Sequence, residues 1–245
     1  MLSTPILSVL VWSAVAAGVA GIAGLAFLGR SDVAPRWLGW SNALAAGLMF
    51  GAAYALILAT FAQAVWPAVA GAFLGVALVH GTHRWSGTAE LELNRQHEPD
   101  PIYGYQVFMV QALHSAWEGV AIGAAAALDL ELGLILIGVL AVHNIAEAVL
   151  LLAVLRSRGV PIGLASTLAV LSNGAQVLLA VATMAVLTST PAVLPWVAGF
   201  AVGALVHLVL VELLPEAYRE AGPTSIALLT SAAIGVAILL LGLGA

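Results

Sequence analysis

The sequence contains no cysteine and no lysine, and it has few charged residues of any kind. Without cysteine, the chain can form neither disulfides nor metal sites that depend on thiolates. Only 8% of the 245 residues are charged, whereas 62% are hydrophobic. No soluble domain can bury that much apolar surface, so the composition predicts a polytopic protein in a lipid bilayer. A net charge of −5 without any basic run argues against a nucleic-acid partner.

Apolar segments long enough to cross a bilayer recur along the whole chain. We distinguish eight, at about residues 6–28, 38–59, 69–84, 105–127, 132–155, 161–187, 193–214 and 224–241. The first has no cationic start, so we expect a retained helix and not a cleaved signal peptide. We therefore expect a single transmembrane domain over residues 1–245, with one extended polar link at 85–104.

The basic residues support this division. All seven are arginines, and each falls in, or at the edge of, the link between spans 1–2, 3–4, 5–6 or 7–8: Arg30, Arg36, Arg84, Arg95, Arg156, Arg158 and Arg219. Eight spans therefore place every positive side chain on one face of the membrane. The positive-inside rule then predicts a multi-pass cell-membrane (inner or plasma membrane) protein with both termini outside the cytoplasm and residues 85–104 inside.

Two consecutive spans carry ionisable residues near their centres. His114 is followed four residues later by Glu118, and His143 is followed four residues later by Glu147. This spacing puts both side chains of a pair on one helix face, about one turn apart. An ionisable group at that depth costs at least about 2.5 kcal/mol. Imidazole and carboxylate together bind Zn²⁺ and other divalent transition ions, so the four residues predict a shared metal site.

Other interpretations of these pairs remain open. An open coordination position on a bound zinc ion would activate water, which would make the protein an intramembrane zinc metalloenzyme, for example a hydrolase. The pairs would also serve as interhelical hydrogen bonds in a structural protein or a sensor. No further carboxylate is clearly placed as a general base, so we expect a transporter and not an enzyme.

A second set of polar residues lies towards the face that carries the arginines. The functional interpretation is a series of weaker ligands along which an ion leaves, and the alternative is a set of polar residues at the headgroup level. The candidates for this exit path are His80, His83, His207, Glu212 and Glu216.

The two motifs, His-Ser-Ala-Trp-Glu-Gly at 114–119 and His-Asn-Ile-Ala-Glu-Ala at 143–148, resemble the helix 4 and helix 5 signatures of the ZIP family of divalent metal ion transporters. The resemblance implies an all-α fold of eight transmembrane helices, with helices 1–3 and 6–8 as an inverted repeat around helices 4 and 5. It also implies a homodimer that moves Zn²⁺, Fe²⁺, Mn²⁺ or Cd²⁺ into the cytoplasm by alternating access. The metal would be the transported substrate, and no cofactor is expected.

Carried over by position, the resemblance makes His114, Glu118, His143 and Glu147 the transport site. Met49 matches a methionine that borders this site in some members, although it is equally well explained as core packing. Many members hold a second metal, but the corresponding positions here are neutral, which favours a single ion. These positions and a neighbouring amide are further candidate ligands: Ser115, Asn144, Asn173 and Gln176.

Overall fold

The computed structural model describes residues 3–28, 33–61, 64–87, 100 and 102–243. Within these ranges the protein consists of eight long helices joined by short links. Their bounds are α1 Thr4–Phe27, α2 Pro35–Phe61, α3 Val65–Ser86, α4 Tyr103–Leu128, α5 Leu130–Ser157, α6 Ile162–Ser189, α7 Pro191–Ala221 and α8 Pro223–Leu243. The prediction of an all-α polytopic fold with eight spans is confirmed.

The eight helices are not equally apolar. In the described part of the chain, seven are long and apolar enough to cross a membrane by length and composition. The remaining helix, α4, has 26 residues and is therefore also long enough. It is more polar because Gln111, His114 and Glu118 lie in its middle. The helix that matches a membrane span least well by composition is thus the one with the first His–Glu pair.

The link expected at residues 85–104 is shorter than the sequence indicated. Helix α3 continues to Ser86, and α4 already begins at Tyr103. Gly87 ends α3 in the left-handed conformation (φ 70°), and its N–H reaches the carbonyls of His83 and Arg84. Residues 88–99 and 101, which make up most of the predicted link, lie outside the described residues.

Glycines bring particular helices into backbone contact. A Cβ at Gly119 of α4 would overlap the carbonyl of Gln176 on α6. Gly24 of α1 also lies against α6, at Ser166. On the other side of the molecule, Gly75 of α3 abuts the carbonyl of Phe200 on α7. Small residues of this kind let membrane helices approach closely.

Close contacts of this kind divide the helices into two groups. The first helix group is α1, α4, α5 and α6, and the second helix group is α2, α3, α7 and α8. Gly47 and Gly51 of α2 join it to α8, just as Gly75 joins α3 to α7. Every described glycine with a neighbour within 4 Å lies against its own group. The two groups meet through side chains instead, such as the Trp117 and Phe200 rings, whose centroids are 5.6 Å apart.

The same contacts agree with an inverted repeat. In such a repeat, α1, α2 and α3 correspond to α6, α7 and α8. The contact between α2 and α8 then corresponds to the contact between α7 and α3, and both contacts are present. The first helix of each repeat is also irregular. Helix α1 continues as a 3₁₀ helix from Ala20, and α6 is interrupted at Asn173. Broken helices of this kind occur at the substrate sites of transporters.

Candidate metal site

Three buried side chains converge between α4 and α5. Nε2 of His143 lies 2.7 Å from Oε1 of Glu118 and 3.7 Å from Oε2 of Glu147. None of the three residues is more than 3% exposed. We call Glu118, His143 and Glu147 the α4–α5 triad. Its ligand atoms all lie within 4.8 Å of one another, a separation that one metal ion can span.

The ligand atoms of this triad meet without forming hydrogen bonds. In the described part of the chain, Oε1 of Glu118, Nε2 of His143 and Oε2 of Glu147 have no hydrogen-bond partner of acceptable geometry. Buried polar atoms are almost always paired, because an unpaired one loses its interaction with water. Oxygen and nitrogen atoms that converge without a well-formed hydrogen bond fit a divalent cation shared between them.

The orientation of His143 is fixed from its other side. Its Nδ1 lies 3.1 Å from the carbonyl oxygen of Ala45 on α2 and is placed to donate a hydrogen bond to it. A neutral imidazole that donates through Nδ1 carries its lone pair on Nε2, which faces the triad. Sequence patterns did not point to Ala45, since no side-chain feature marks a carbonyl that a distant helix will approach.

A second triad lies beside the first. Nε2 of His114 on α4 lies 2.9 Å from Oε2 of Glu212 on α7, and Nε2 of His83 on α3 lies 3.3 Å from Oε1 of the same carboxylate. We call His83, His114 and Glu212 the three-helix triad. The two histidines are buried, whereas the Glu212 side chain is 17% exposed. These ligand atoms also lie within 4.8 Å of one another.

A local change in helix geometry places Glu212 in this triad. Residues Val209–Leu213 form a π-helical turn within α7, in which the N–H of Leu214 bonds the carbonyl of Val209. Pro215 follows at once and has no N–H to donate, so the regular hydrogen-bond ladder cannot continue through it. Single π-helical turns are frequent at functional sites, and this one contains a ligand candidate.

One contact joins the two triads. Nδ1 of His114 lies 2.7 Å from Oε1 of Glu147. The four residues expected to form one site are therefore in contact, but His114 also belongs to the second triad. The result is a continuous series of imidazole and carboxylate groups, which runs Glu118, His143, Glu147, His114, Glu212 and His83.

Two of the candidate additional ligands flank the α4–α5 triad. The amide of Asn144 lies 2.8 Å from Oε1 of Gln176 on α6. When the Asn144 amide is oriented to satisfy its surroundings, its nitrogen donates to Oε2 of Glu118 at 3.2 Å and to the carbonyl of Leu140 at 2.9 Å. The Asn144–Gln176 pair therefore orients the Glu118 carboxylate.

The remaining candidates are turned towards the backbone or the core. The Ser115 hydroxyl is 2.7 Å from the Ser172 carbonyl and donates towards α6. Asn173 donates to the Ala169 carbonyl of its own helix at 2.9 Å. Met49 is fully buried within the main hydrophobic cluster.

The expected exit-path residues separate into two sets. His83 and Glu212 belong to the three-helix triad. His80 and His207 form a separate edge-to-face pair with ring centroids 5.8 Å apart, and His80 is exposed. Glu216 is buried and lies 3.3 Å from Arg219, which is three residues further along α7.

Comparison with known proteins identifies the family. Residues 83–242, about two thirds of the chain, match the family model described as ZIP zinc transporter. The chain belongs to the ZIP zinc transporter family. The matched region begins at His83 and includes both triads. The resemblance noted in the sequence is thereby confirmed.

A relative in Arabidopsis thaliana agrees with this assignment. It carries the name "Putative zinc transporter" and is 30% identical in an alignment of length 216 that covers 84% of the present chain. The alignment covers 34% of that protein, so the ZIP chain described here spans about a third of the length of this relative.

Proposed function

We propose that the chain transports a divalent transition metal ion across a membrane into the cytoplasm, with Zn²⁺ as the first candidate and Fe²⁺, Mn²⁺ and Cd²⁺ as others. Membership of the ZIP family and the zinc transporter named among its relatives support this function. The observation that carries it is the series of buried imidazole and carboxylate groups, which are ligands that all four ions accept.

The ion first occupies the α4–α5 triad. Two carboxylates and one neutral imidazole give this site a formal charge of −2, which matches a divalent cation. It is completed by Oε1 of Glu147 or by His114, with Asn144 and Gln176 orienting Glu118. A neutral glutamine at position 176 adds no charge for a second ion, so this site is mononuclear.

Release follows from the way the two helix groups share the ligands. Glu118, His143, Glu147 and His114 all come from the first helix group, whereas His83 and Glu212 come from the second. A shift of one group against the other separates His114 from Glu212, because these residues belong to different groups. Among the described glycines, none makes a backbone contact across the boundary that would oppose such a shift. Alternating access of this kind moves the ion from the α4–α5 triad to weaker ligands.

The same proposal includes the position of the chain in the membrane. Arg36, Arg84, Arg158 and Arg219 lie at helix ends on the same side of the alternating helices. This supports a cell-membrane protein with cytoplasmic arginines, a single domain over residues 1–245 and both termini outside. A homodimer is expected from the family resemblance. Cross-linking in membranes would test the dimer, and labelling of single cysteines added to this cysteine-free chain would test the orientation.

Transport is favoured over the zinc metalloenzyme. The family and the named relative are transporters. In the α4–α5 triad both carboxylates approach the single imidazole, so neither is set apart as a general base for activating water.

The deciding experiment is metal uptake into proteoliposomes that contain the purified protein. We expect saturable uptake in the wild type and its loss in both His143→Ala and Glu147→Ala. Glu131→Ala is the matched control, because Glu131 is exposed at the start of α5. Absence of uptake of any of the four ions by folded wild-type protein would refute the proposal.

A further inference from the structure

Two amide side chains on different helices are buried without partners. Asn42 on α2 is 0% exposed, and Gln111 on α4 is 3% exposed. Over the residues that the structure describes, none of their four side-chain nitrogen and oxygen atoms has a hydrogen-bond partner. Leaving a polar group unpaired in the interior costs free energy, so two such residues need an explanation.

The position of Asn42 follows from its neighbours on the same face of α2. Leu38, four residues earlier, belongs to a hydrophobic cluster to which α1, α2, α4, α5 and α6 all contribute. Ala45, three residues later, accepts the hydrogen bond from His143. Since residues three and four apart share a helix face, Asn42 lies between this cluster and the α4–α5 triad.

Gln111 occupies the equivalent position on α4. Val107, four residues earlier, belongs to the same hydrophobic cluster as Leu38. His114, three residues later, contacts Glu147 of the triad. Asn42 is seven residues from the start of α2, and Gln111 is eight residues from the start of α4. Both helices begin on the side that carries the arginines.

We propose that Asn42 and Gln111 form a neutral amide site that binds the divalent ion, with part of its water shell, between the triads and the arginine-bearing side. The proposal rests on the transport function and adds a step to it. Amide oxygens are suitable neutral ligands, and the amide nitrogens can donate to carboxylates or to other oxygen atoms. Because the site carries no charge, it holds a dication more weakly than the triads do. An ion can therefore pass through it without being retained.

The absence of native cysteine allows a direct test. We would introduce Asn42→Cys and Gln111→Cys singly, with Ala43→Cys and Ala112→Cys as controls on the neighbouring faces of the same helices. The probe is a small water-soluble thiol reagent, applied with and without Cd²⁺. We expect both test cysteines to react and Cd²⁺ to slow them at least about five-fold, since a metal-bound thiolate is a poor nucleophile. The controls should react slowly and show no effect of Cd²⁺.

Reaction no faster than in the controls, or reaction that Cd²⁺ does not slow, would overturn the amide site.

A second measurement uses Asn42→Leu combined with Gln111→Met, which removes only unpaired polar groups and should preserve folding. Uptake should fall about ten-fold while the metal affinity of the purified protein changes less than about two-fold, because the triads stay intact. Unchanged uptake in this variant would also overturn the site. Absence of uptake by the wild-type protein would refute the transport function itself. Failure of the amide site and failure of the transport function are therefore distinguishable.

Discussion

The α4–α5 triad and the three-helix triad use the same side-chain types in different surroundings. The α4–α5 triad combines two carboxylates with one imidazole, and all of its members are buried. The three-helix triad combines one carboxylate with two imidazoles, and its Glu212 is 17% exposed. With neutral histidines, their formal charges are −2 and −1.

This difference assigns the triads different tasks. The more negative and more deeply buried group binds a dication more tightly, because electrostatic attraction is stronger where water is excluded. The α4–α5 triad draws all its ligands from one helix group, so a shift between the groups keeps these ligands together, although it moves the Ala45 carbonyl that orients His143. The three-helix triad spans both groups and is changed by the same shift. We therefore propose that the first triad binds the ion tightly and that the second triad transfers it.

The largest effect should come from removing a charge from the α4–α5 triad. Glu118→Gln keeps the size of the side chain but leaves the site with one carboxylate. We expect metal affinity to fall at least about 100-fold, since even changes around a metal ligand cost about 10–100-fold. Titration calorimetry of the purified protein measures the affinity. The exposed Glu131→Gln on α5 serves as control, and equal affinity in the two variants would contradict the proposed site.

The corresponding change in the three-helix triad should affect transport more than binding. In Glu212→Gln we expect uptake to fall about ten-fold, whereas the affinity of the purified protein should change less than about three-fold. Uptake by proteoliposomes and calorimetry of the same preparation give both values. If Glu212→Gln lost affinity as severely as Glu118→Gln, the division of tasks between the triads would be wrong.

The sequence predicted what depends on a single helix. Spans follow from apolar length, and His114 with Glu118 share a face because four residues make about one helical turn. Relations between helices were not accessible in this way. Glu212 and His114 are separated by 98 residues, and their contact depends on the helix packing and on the π-helical turn at Val209–Leu213.

The link at residues 85–104 shows a related limit. Polar composition suggested that it begins at Trp85, but α3 continues to Ser86 because the left-handed Gly87 sets its end. Backbone acceptors are harder still to predict. The carbonyl of Ala45 orients His143, although nothing in an alanine-rich stretch distinguishes this alanine from its neighbours.

A smaller effect is expected where the α4–α5 triad receives support from α6. Gln176→Glu places a carboxylate beside Asn144, whose amide lies close to Glu118. The added charge should raise the number of bound divalent ions from about one to about two per chain, because it offsets the charge of a second cation. Elemental analysis after dialysis counts the ions. The neutral Gln176→Met should stay at about one, and one ion in both variants would argue against a charge-limited second site.

The smallest effect concerns the packing that keeps the α4–α5 triad rigid. Gly119 follows Glu118 and lies against the carbonyl of Gln176, so Gly119→Ala must push α4 away from α6. We expect a loss of about 1–3 kcal/mol in stability from overpacking, measured by thermal unfolding in detergent. Gly138→Ala on α5 is the control, because a Cβ there meets no atom within 4 Å. Since alanine favours a helix over glycine by about 1 kcal/mol, the control should be neutral or more stable. A loss of stability at Gly119 without a loss at Gly138 would show that close approach to α6, and not helix propensity, requires glycine at position 119.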